Sequence, residues 1–377
     1  MDINRIIIYI IVFFMILGAA DRILGNRFGL GAKFEEGFHA MGPCALSMIG
    51  INCMAPLLGK WIQLLLGPFF HMFGADPVMA GSIILSIDTG GYALAHSVTG
   101  NADIANYSSV ILGSMMGPTL AFGIPVALGI IHKKDIRYLA LGTLSGLIVI
   151  PFACVIGGLI AGYRISMVLV NMVPVFLIAA LIALGLGFFP DGMVKGFAVF
   201  AKLMMTIITL SLVHAIVSAL TGITLIRGTE PISASFNTIG SIAIMLAGAY
   251  PMVYVITKLA AKPLAKLGKL MGIDEIAAAG LITTLANSIP TYSMIKNMDD
   301  KGKTVNFAFT CCAAFALGDH LGFCAGIEPE LVFPMAACKI LGGLLSIPVA
   351  LLAYKLQENR LVSDINKKRL IPTKKGF

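Results

Sequence analysis

Charged side chains are scarce in this sequence: only 12% of its 377 residues are charged, whereas 58% are hydrophobic. Soluble domains carry about 25% charged residues. So small a share leaves too little polar surface to cover the apolar side chains, which excludes a soluble protein and predicts a polytopic membrane protein. The net charge of +8 does not indicate nucleic-acid binding, because most basic residues lie in short loops and after Tyr354, where they set orientation in the bilayer.

The cysteine patterns of metal sites and disulfide frameworks are missing as well. The chain has seven cysteines, an odd number, and no C-x-x-C motif, so neither kind of site is indicated. We expect the cysteines to act as small hydrophobic residues, and we expect no metal and no cofactor. A membrane enzyme would need a nucleophile–base pair or a metal set. The adjacent residues Asp319 and His320 are thin evidence for one, so no catalytic residue is predicted.

Apolar segments, in contrast, follow one another along the whole chain. Eleven can be distinguished, at about residues 3–20, 37–58, 76–97, 105–131, 138–162, 166–189, 195–220, 236–258, 272–296, 304–326 and 331–355. Most have the roughly 20 residues that a spanning helix needs. The first has a weakly basic flank and is followed by further membrane segments, so we interpret it as an uncleaved helix and not as a secretory signal.

The two halves of the chain repeat each other at an offset that drifts from 198 to 201 residues. Four pairs of stretches carry the repeat: 42–50 with 240–248, 74–76 with 272–274, Gly81 and Asp88 with Gly280 and Asn287, and 116–122 with 317–323. Each match is weak alone, but their common order and common offset indicate an internal repeat.

The distribution of Lys and Arg among the loops favours an unusual topology. If all eleven segments spanned the membrane, its two sides would hold 11 and 15 basic residues, which is no bias. If segments 76–97 and 272–296 enter and leave on the same face, 22 lie on one side and four on the other, as the positive-inside rule prefers. This arrangement has nine spanning helices and two re-entrant helical hairpins, with the N-terminus outside and the C-terminus in the cytoplasm.

The halves are then inverted repeats, because the first hairpin opens outward and the second inward. We predict an all-α polytopic fold that consists of a first repeat at 1–165, a connecting helix at 166–190, a second repeat at 191–356 and a basic cytoplasmic tail at 357–377. Inverted repeats with broken helices and a site near the bilayer midplane are typical of secondary transporters. One hairpin arm, Pro77 to Ile87, spans about 16 Å as a helix, so the tips should lie near the midplane.

Polar residues at membrane depth form the candidate substrate site. An ionisable residue inside the membrane is a functional hypothesis by default, and paired glycines let the backbone turn or approach a ligand. The hairpin tips and the matching mid-segment positions supply eight candidates: Asp88, Thr89, Gly90, Thr119, Asn287, Ser288, Asp319 and His320.

These candidates also have purely structural interpretations. Asp88 could cap the returning arm of its hairpin, and Asn287 or Ser288 could cap the corresponding arm of the second. Asp319 and His320 could be buried polar residues with satisfied hydrogen bonds. For Tyr92, Tyr292 and Phe323 the default interpretation is packing, although these rings could also offer a cation–π face. For Glu36 and Tyr250 the default interpretation is a position at the membrane interface or a packing role.

Several longer motifs resemble one known family. They are Phe34-Glu-Glu-Gly-Phe38 with Met41-Gly42, Asp88-Thr-Gly-Gly91, Gly113-Ser-Met-Met-Gly-Pro-Thr119, Arg137-Tyr-Leu-Ala-Leu-Gly142, Gly248-Ala-Tyr-Pro-Met252, Thr284-Leu-Ala-Asn287 and Ala316-Leu-Gly-Asp-His-Leu-Gly-Phe323. Over about residues 2–345 the chain resembles the ethanolamine permease of bacterial ethanolamine-utilisation operons, the EutH family. The resemblance implies an inner-membrane carrier or facilitator for ethanolamine, and it does not supply the binding residues.

Ethanolamine is a small ammonium with one hydroxyl, so its site needs a carboxylate and a hydroxyl or amide partner. Asp88 or Asp319 fits the first requirement; the side chains that fit the second are Thr89, Asn287, Ser288 and His320. A monovalent cation gains about 2.3 kcal/mol per 100 mV on entering a negative interior, which supports roughly 40-fold accumulation at 1.4 kcal/mol per tenfold. A uniporter would suffice, and an ion-coupled carrier stays open.

Other interpretations keep part of this scheme. A secondary transporter or channel for another small cationic or zwitterionic solute would keep the architecture and change the pocket, although a channel would need a continuous polar path. The expected partners are ethanolamine and the lipid bilayer, with no nucleic acid, and a homo-oligomer stays open. The expected mechanism is alternating access in which one hairpin gates each side.

Overall fold

The computed structural model describes residues 3–370, and no strand occurs between them, which confirms the all-α prediction. Its helices are α1 (Ile3–Ile23), α2 (Leu30–His39), α3 (Met41–Leu65), α4 (Gly67–His71), α5 (Val78–Ile84), α6 (Gly91–Val98), α7 (Ala102–Asn106), α8 (Met116–Pro118), α9 (Ile124–Ile130), α10 (Ile136–Ile160), α11 (Ile165–Phe188), α12 (Pro190–Thr221), α13 (Ile232–Met271), α14 (Glu275–Ala286), α15 (Ser288–Met294), α16 (Asp300–Ala313), α17 (Asp319–Ile327) and α18 (Val332–Leu370). Of the predicted basic tail, residues 371–377 lie outside the described residues.

Several helical stretches are long and apolar enough to cross a membrane, as expected for a multi-pass protein. Seven are found among the described residues: Ile3–Ile23, Leu30–Leu65, Lys133–Ile160, Ile165–Phe188, Lys195–Thr221, Ser235–Leu259 and Pro329–Asn359. The pair Ala102–Leu112 and Met116–Ile130, bent by 43°, would make an eighth. The one remaining predicted span, 304–326, is divided between α16, of 14 residues, and α17, of 9 residues. The total of nine spanning helices therefore stays a prediction.

The first predicted hairpin is a pair of short helices, α5 and α6, that pack against each other. They are joined by a tip at 85–90 that contains one 3₁₀ turn. At the base, Asp76 Oδ1 accepts the N–H of Val78 at 2.9 Å and its Oδ2 accepts the hydroxyl of Thr99 at 2.7 Å. A single carboxylate thus ties the start of the first arm to the residue that follows the second.

The second hairpin, α14 and α15, is closed in a similar way. Asp274 Oδ1 accepts the N–H of Ala277 at 2.6 Å and its Oδ2 accepts the N–H of Asp299, which follows the second arm, at 2.6 Å. Between the arms, the Thr291 hydroxyl donates to the Gly280 carbonyl at 3.0 Å. The two hairpins therefore share an aspartate clamp at their bases, at positions that the internal repeat relates.

Each hairpin is followed by a helix that breaks in the middle. In the first half, the stretch 102–130 is interrupted at 113–115 and has π-helical turns on both sides of this break, at Tyr107–Leu112 and Thr119–Gly123. In the second half, the stretch 300–327 is interrupted at 314–318. Each break pairs with a hairpin tip through the backbone: Ile87 N–H donates to the Gly113 carbonyl at 3.0 Å, and Leu317 N–H donates to the Leu285 carbonyl at 2.9 Å.

Two glycines permit this close approach. A methyl group on Gly117 would lie 2.3 Å from the Leu85 carbonyl oxygen, and one on Gly318 would lie 2.1 Å from the Ala286 carbonyl oxygen. Both distances are far inside van der Waals contact, so only glycine fits. The two glycines and their two partners are each 201 residues apart in the chain, so the same backbone contact occurs once in each half.

A buried ion pair joins the second half to the start of α10. Lys303 Nζ lies 3.0 Å from Asp135 Oδ1 and 3.0 Å from Asp300 Oδ1, and the Lys303 and Asp135 side chains are only 7% and 1% exposed. Burial lowers the pKa of Lys303, but hydrogen bonds and charges from the two carboxylates outweigh burial and leave the pKa raised. The cation therefore stays charged at neutral pH.

Candidate functional site

The Asp88 carboxylate lies at the tip of the first hairpin and contacts the second half of the chain. Its Oδ1 accepts a hydrogen bond from the Ser86 hydroxyl. His320 Nε2, at the start of α17, lies 3.7 Å from the same Oδ1 and 3.4 Å from Ser86 Oγ. The imidazole is 1% exposed, whereas the Asp88 side chain is 26% exposed. A carboxylate with a buried imidazole behind it thus keeps an open face.

Capping does not explain Asp88. The residue before α6 is Gly90, in the left-handed region at φ 95°, and no side chain caps this helix. Thr89 builds the turn instead: its Oγ1 accepts the Ser86 N–H at 3.1 Å and lies 3.2 Å from the Ser86 carbonyl. A methyl group on Gly90 would lie 2.2 Å from Ile51 Cγ2. Of the predicted residues, Thr89 and Gly90 therefore shape the tip that presents Asp88.

Asp319, the second predicted carboxylate, begins α17 and accepts a hydrogen bond from the Tyr250 hydroxyl of α13. It is near enough to Asp88 for the two charges to repel each other. Cys44 of α3 is near both carboxylates. The structure thus brings the two carboxylates into one neighbourhood, and it gives Tyr250 a polar partner that the default packing interpretation had not anticipated.

The tip of the second hairpin differs from the first. Asn287 Oδ1 accepts the Ile289 N–H at 2.9 Å and so caps α15, in agreement with the capping interpretation. The Ser288 hydroxyl is buried beside Tyr292. Asn287 occupies the position that the repeat relates to Asp88, but in this tip it contributes a cap and no charge.

Ser288 and Thr119 line a small cavity behind the second hairpin. Its wall includes Ser114, Thr310 and Lys339, and its volume is about 20 Å³, which is room for about one water molecule. Thr119 Oγ1 lies 2.7 Å from the Met115 carbonyl and 2.9 Å from the Cys311 carbonyl. Of the eight predicted residues, five lie at or beside the two carboxylates, Thr119 and Ser288 border this cavity, and Asn287 caps α15.

Four polar residues near the site were not among the candidates. Ser86 and Tyr250 bind the two carboxylates. The buried Asn52 Oδ1 lies beside Gly90 without a partner in the described part of the chain, 3.3 Å from where a Cβ on Gly90 would be. Lys339 is 1% exposed, and its ammonium donates to the Ser114 carbonyl. The sequence could have pointed to Asn52 and Lys339, because both are polar residues inside long apolar segments.

The aromatic candidates take packing roles. Tyr92 donates its hydroxyl to Glu328 Oε1 at 2.6 Å and meets the ring of Phe323 at 6.2 Å. Tyr292 stacks on Phe307 at 6.1 Å. These contacts connect α6 to α17 and α15 to α16. The local chemistry that remains at the tip of the first hairpin is a carboxylate with free acceptor positions, which suits a small cation.

Comparison with known proteins identifies one family over most of the chain. The family model for the ethanolamine utilisation protein EutH matches residues 3–353. The chain is 52% identical over 351 residues to the probable ethanolamine permease EutH of Listeria monocytogenes, covering 93% of this chain and 94% of the relative. It is 45% identical to that of Salmonella typhimurium, covering 93% and 96%, and 45% identical to the uncharacterized protein YxeR of Bacillus subtilis, covering 93% and 95%. No solved structure matches the chain.

Proposed function

Because this chain belongs to the EutH family of ethanolamine utilisation proteins, we propose that it carries ethanolamine across the bacterial inner membrane into the cytoplasm. It is a multi-pass transporter and not an enzyme. The observation that carries the proposal at the level of residues is the Asp88 carboxylate: it is fixed by Ser86, backed by His320, and still open on one face.

The substrate ammonium binds at this open face. An ammonium has three donors and a carboxylate about four acceptor positions, of which Ser86 uses one. Hydrogen bonds between two charged groups are about twice as strong as neutral ones. Asp319 adds a second negative charge nearby, with one oxygen already bound to Tyr250. The two carboxylates thus attract a cation before any contact forms.

Asn52 receives the other end of the substrate. Its Oδ1 is a buried acceptor without a partner in the region the structure describes, and it lies beside Gly90, two residues after Asp88. A buried polar atom without a partner costs about 1–3 kcal/mol, which a hydroxyl donor would recover. Thr89 and Asn287, two sequence candidates for this role, have oxygens engaged in the tips.

The proposed architecture is a pair of inverted repeats with two re-entrant hairpins. It is supported by the features that occur once in each half: the aspartate clamp at each hairpin base and the glycine contact between each tip and its break. Arms of 7 to 12 residues are about 10–18 Å long, too short to cross a core of about 30 Å. The loop charges orient the N-terminus outside and the C-terminus in the cytoplasm.

The proposed transport cycle moves both hairpins and both broken helices as one unit against a scaffold that includes α11, in an elevator-like motion. The backbone hydrogen bonds between tips and breaks support such a unit. Asn171 of α11 accepts the Asp76 N–H at 2.8 Å, so it lies where the scaffold meets the first hairpin. Substrate charge alone can drive uptake into a negative interior.

Uptake of labelled ethanolamine into proteoliposomes tests the function. We expect saturable uptake that rises with an inside-negative potential, to roughly 40-fold accumulation at 100 mV. Uptake that grows linearly with ethanolamine concentration would indicate a channel, and a chemically altered product would indicate an enzyme. Stronger competition by another small ammonium than by ethanolamine itself would reassign the substrate.

A further inference from the structure

Lys339 is a buried cation near Asp88 and His320 to which the proposed ethanolamine contacts assign no role. It lies in α18, is 1% exposed, and directs its ammonium to the Ser114 carbonyl. Ser114 belongs to the break at 113–115, just before α8, where the helical hydrogen-bond ladder is interrupted. Carbonyl groups at such breaks bind coupling cations in other transporters that have broken helices. A lysine at membrane depth is costly and therefore indicates a role.

The cavity next to Lys339 is the counterpart of the substrate site in the other half. The repeat relates His320 to Thr119, which are 201 residues apart, and Asp88 to Asn287, which are 199 apart. Asp88 and His320 meet in the first pocket. Thr119 and Ser288, the neighbour of Asn287, line the second. The second pocket thus has the same pair of elements, a hairpin tip and a broken helix of the opposite half.

The chemistry of the second pocket suits a small cation without a carboxylate. Its wall contains the hydroxyls of Thr119, Ser288 and Thr310 together with Lys339 and Ser114. No Asp or Glu lies in this wall as the structure describes it. The Ser288 hydroxyl is buried beside Tyr292, and its oxygen borders the cavity. Oxygen ligands of this kind suit hard cations such as sodium, and the free volume holds about one such ion.

We propose that Lys339 is the resident cation of this second pocket. Its ammonium takes the place at the Ser114 carbonyl that a coupling ion would otherwise take, so uptake needs no sodium. Removal of the ammonium should turn the pocket into a site for a monovalent cation. The transport part of this inference rests on the proposed ethanolamine function, whereas the cation site itself does not.

Melting temperatures test the cation site without ethanolamine. Wild type, Lys339→Ala and Lys339→Met are purified in detergent and compared in sodium chloride and in tetrapropylammonium chloride, whose cation is too large for the pocket. Sodium should raise the melting temperature of Lys339→Ala only, because a ligand that binds the folded state stabilises it. Lys339→Met fills the same space without charge and should not respond. A sodium response shared by all three proteins, or absent from Lys339→Ala, would overturn the proposal.

Proteoliposome uptake tests the consequence for transport. Wild type should take up ethanolamine at the same rate in both salts. Lys339→Ala should be about tenfold slower without sodium, the expected effect of one buried acceptor left without its partner, and should recover with sodium. Sodium-dependent uptake by wild type would overturn the proposal even if Lys339→Ala failed to fold. A wild type that carries no ethanolamine would instead refute the proposed function, and the melting temperatures would still decide the cation site.

Discussion

His320 Nε2 lies 3.7 Å from Asp88 Oδ1, although the two residues come from different halves of the chain. The imidazole is 1% exposed, whereas the Asp88 side chain stays partly accessible. In this arrangement the second half orients the charged group that the first half presents. The site therefore exists only when both halves are folded against each other.

Asp88→Asn should abolish ethanolamine binding in a folded protein. The amide keeps the shape and can still accept from Ser86, but it lacks the charge that pairs with the ammonium. Loss of one partner of a desolvated charge pair costs about 3–5 kcal/mol, or a few hundredfold or more in affinity. Affinity and melting temperature of the purified variant check this. Normal affinity would remove Asp88 from the site and leave Asp319 as the ammonium partner.

Asn52→Ala should weaken ethanolamine binding by about tenfold, as expected for one unmatched hydrogen bond of about 1–3 kcal/mol. Ethylamine lacks the hydroxyl, so its affinity should be weak and equal in wild type and variant. The comparison of the two ligands is the internal control. Asn52 would be excluded as the hydroxyl partner by an equal loss for both ligands.

Gly117→Ala and Gly318→Ala should each be strongly destabilising, because the added methyl group would press on a hairpin-tip carbonyl at 2.3 or 2.1 Å. Gly129→Ala is the matched control: it lies in α9 with nothing within 4 Å of the added atom, and alanine favours a helix by about 1 kcal/mol over glycine. Thermal unfolding in detergent measures all three. If the two repeat-related variants melted like the control, the tip–break contacts would not be part of the fold.

Lys303→Met should cost about 3–5 kcal/mol of stability, because it leaves the buried Asp135 carboxylate without its cation. The double variant with Asp135→Asn should recover part of that loss. Arg22→Met is the control: it removes an ion pair with Glu35 in which the Arg22 and Glu35 side chains are 58% and 45% exposed. It should cost about 1 kcal/mol of stability or less. Equal losses for Lys303→Met and Arg22→Met would contradict the buried pair.

The raised pKa of Lys303 has a pH consequence of defined sign. The contribution of this cation to stability should be complete below the ordinary lysine pKa and should disappear as pH rises through the higher folded value. The difference in melting temperature between wild type and Lys303→Met should therefore stay constant from neutral pH to about pH 9 and shrink above about pH 10.4. A difference that shrank between pH 6 and 8 would show that another group is responsible.

Single cysteines at Ser97 and Ser293 test the topology. Both positions are exposed at the outer ends of the second hairpin arms, and the native cysteines are buried or half-buried, so wild type gives a low background. In intact cells a membrane-impermeant thiol reagent should label Ser97→Cys and spare Ser293→Cys until the membrane is opened. A cytoplasmic Ser97→Cys would rule out the outward-opening hairpin.

The sequence was informative about where the chain bends. Short apolar arms around Asp88 and Asn287 predicted two helix pairs, and both form. The offset between halves also aligned Asp76 with Asp274, and the structure gives these two residues equivalent hydrogen bonds at the hairpin bases. Helix breaks and repeat positions depend on residues that are close together in the sequence, so hydrophobic periodicity and residue spacing can predict them.

The pairing of side chains across the halves was not predictable in the same way. Distance along an apolar segment gives depth in the membrane, but the rotation of each helix decides which neighbour a side chain meets. Tyr250 could not be placed on Asp319, nor Lys339 on Ser114, because each contact joins helices distant in sequence. Nor could the sequence show that Thr119 and Ser288 border a cavity together with Ser114 and Lys339. The convergence of all eight candidates on one site stays a prediction.

The equal spacing of the Leu85–Gly117 and Ala286–Gly318 contacts has a consequence for ancestry. A half-length ancestor that assembled as an antiparallel pair would have carried this contact twice, together with two identical binding pockets. Such a pair could not change one pocket without changing the other. In a single chain each tip can change alone, and the two do differ: Asp88 in the first tip corresponds to Asn287 in the second.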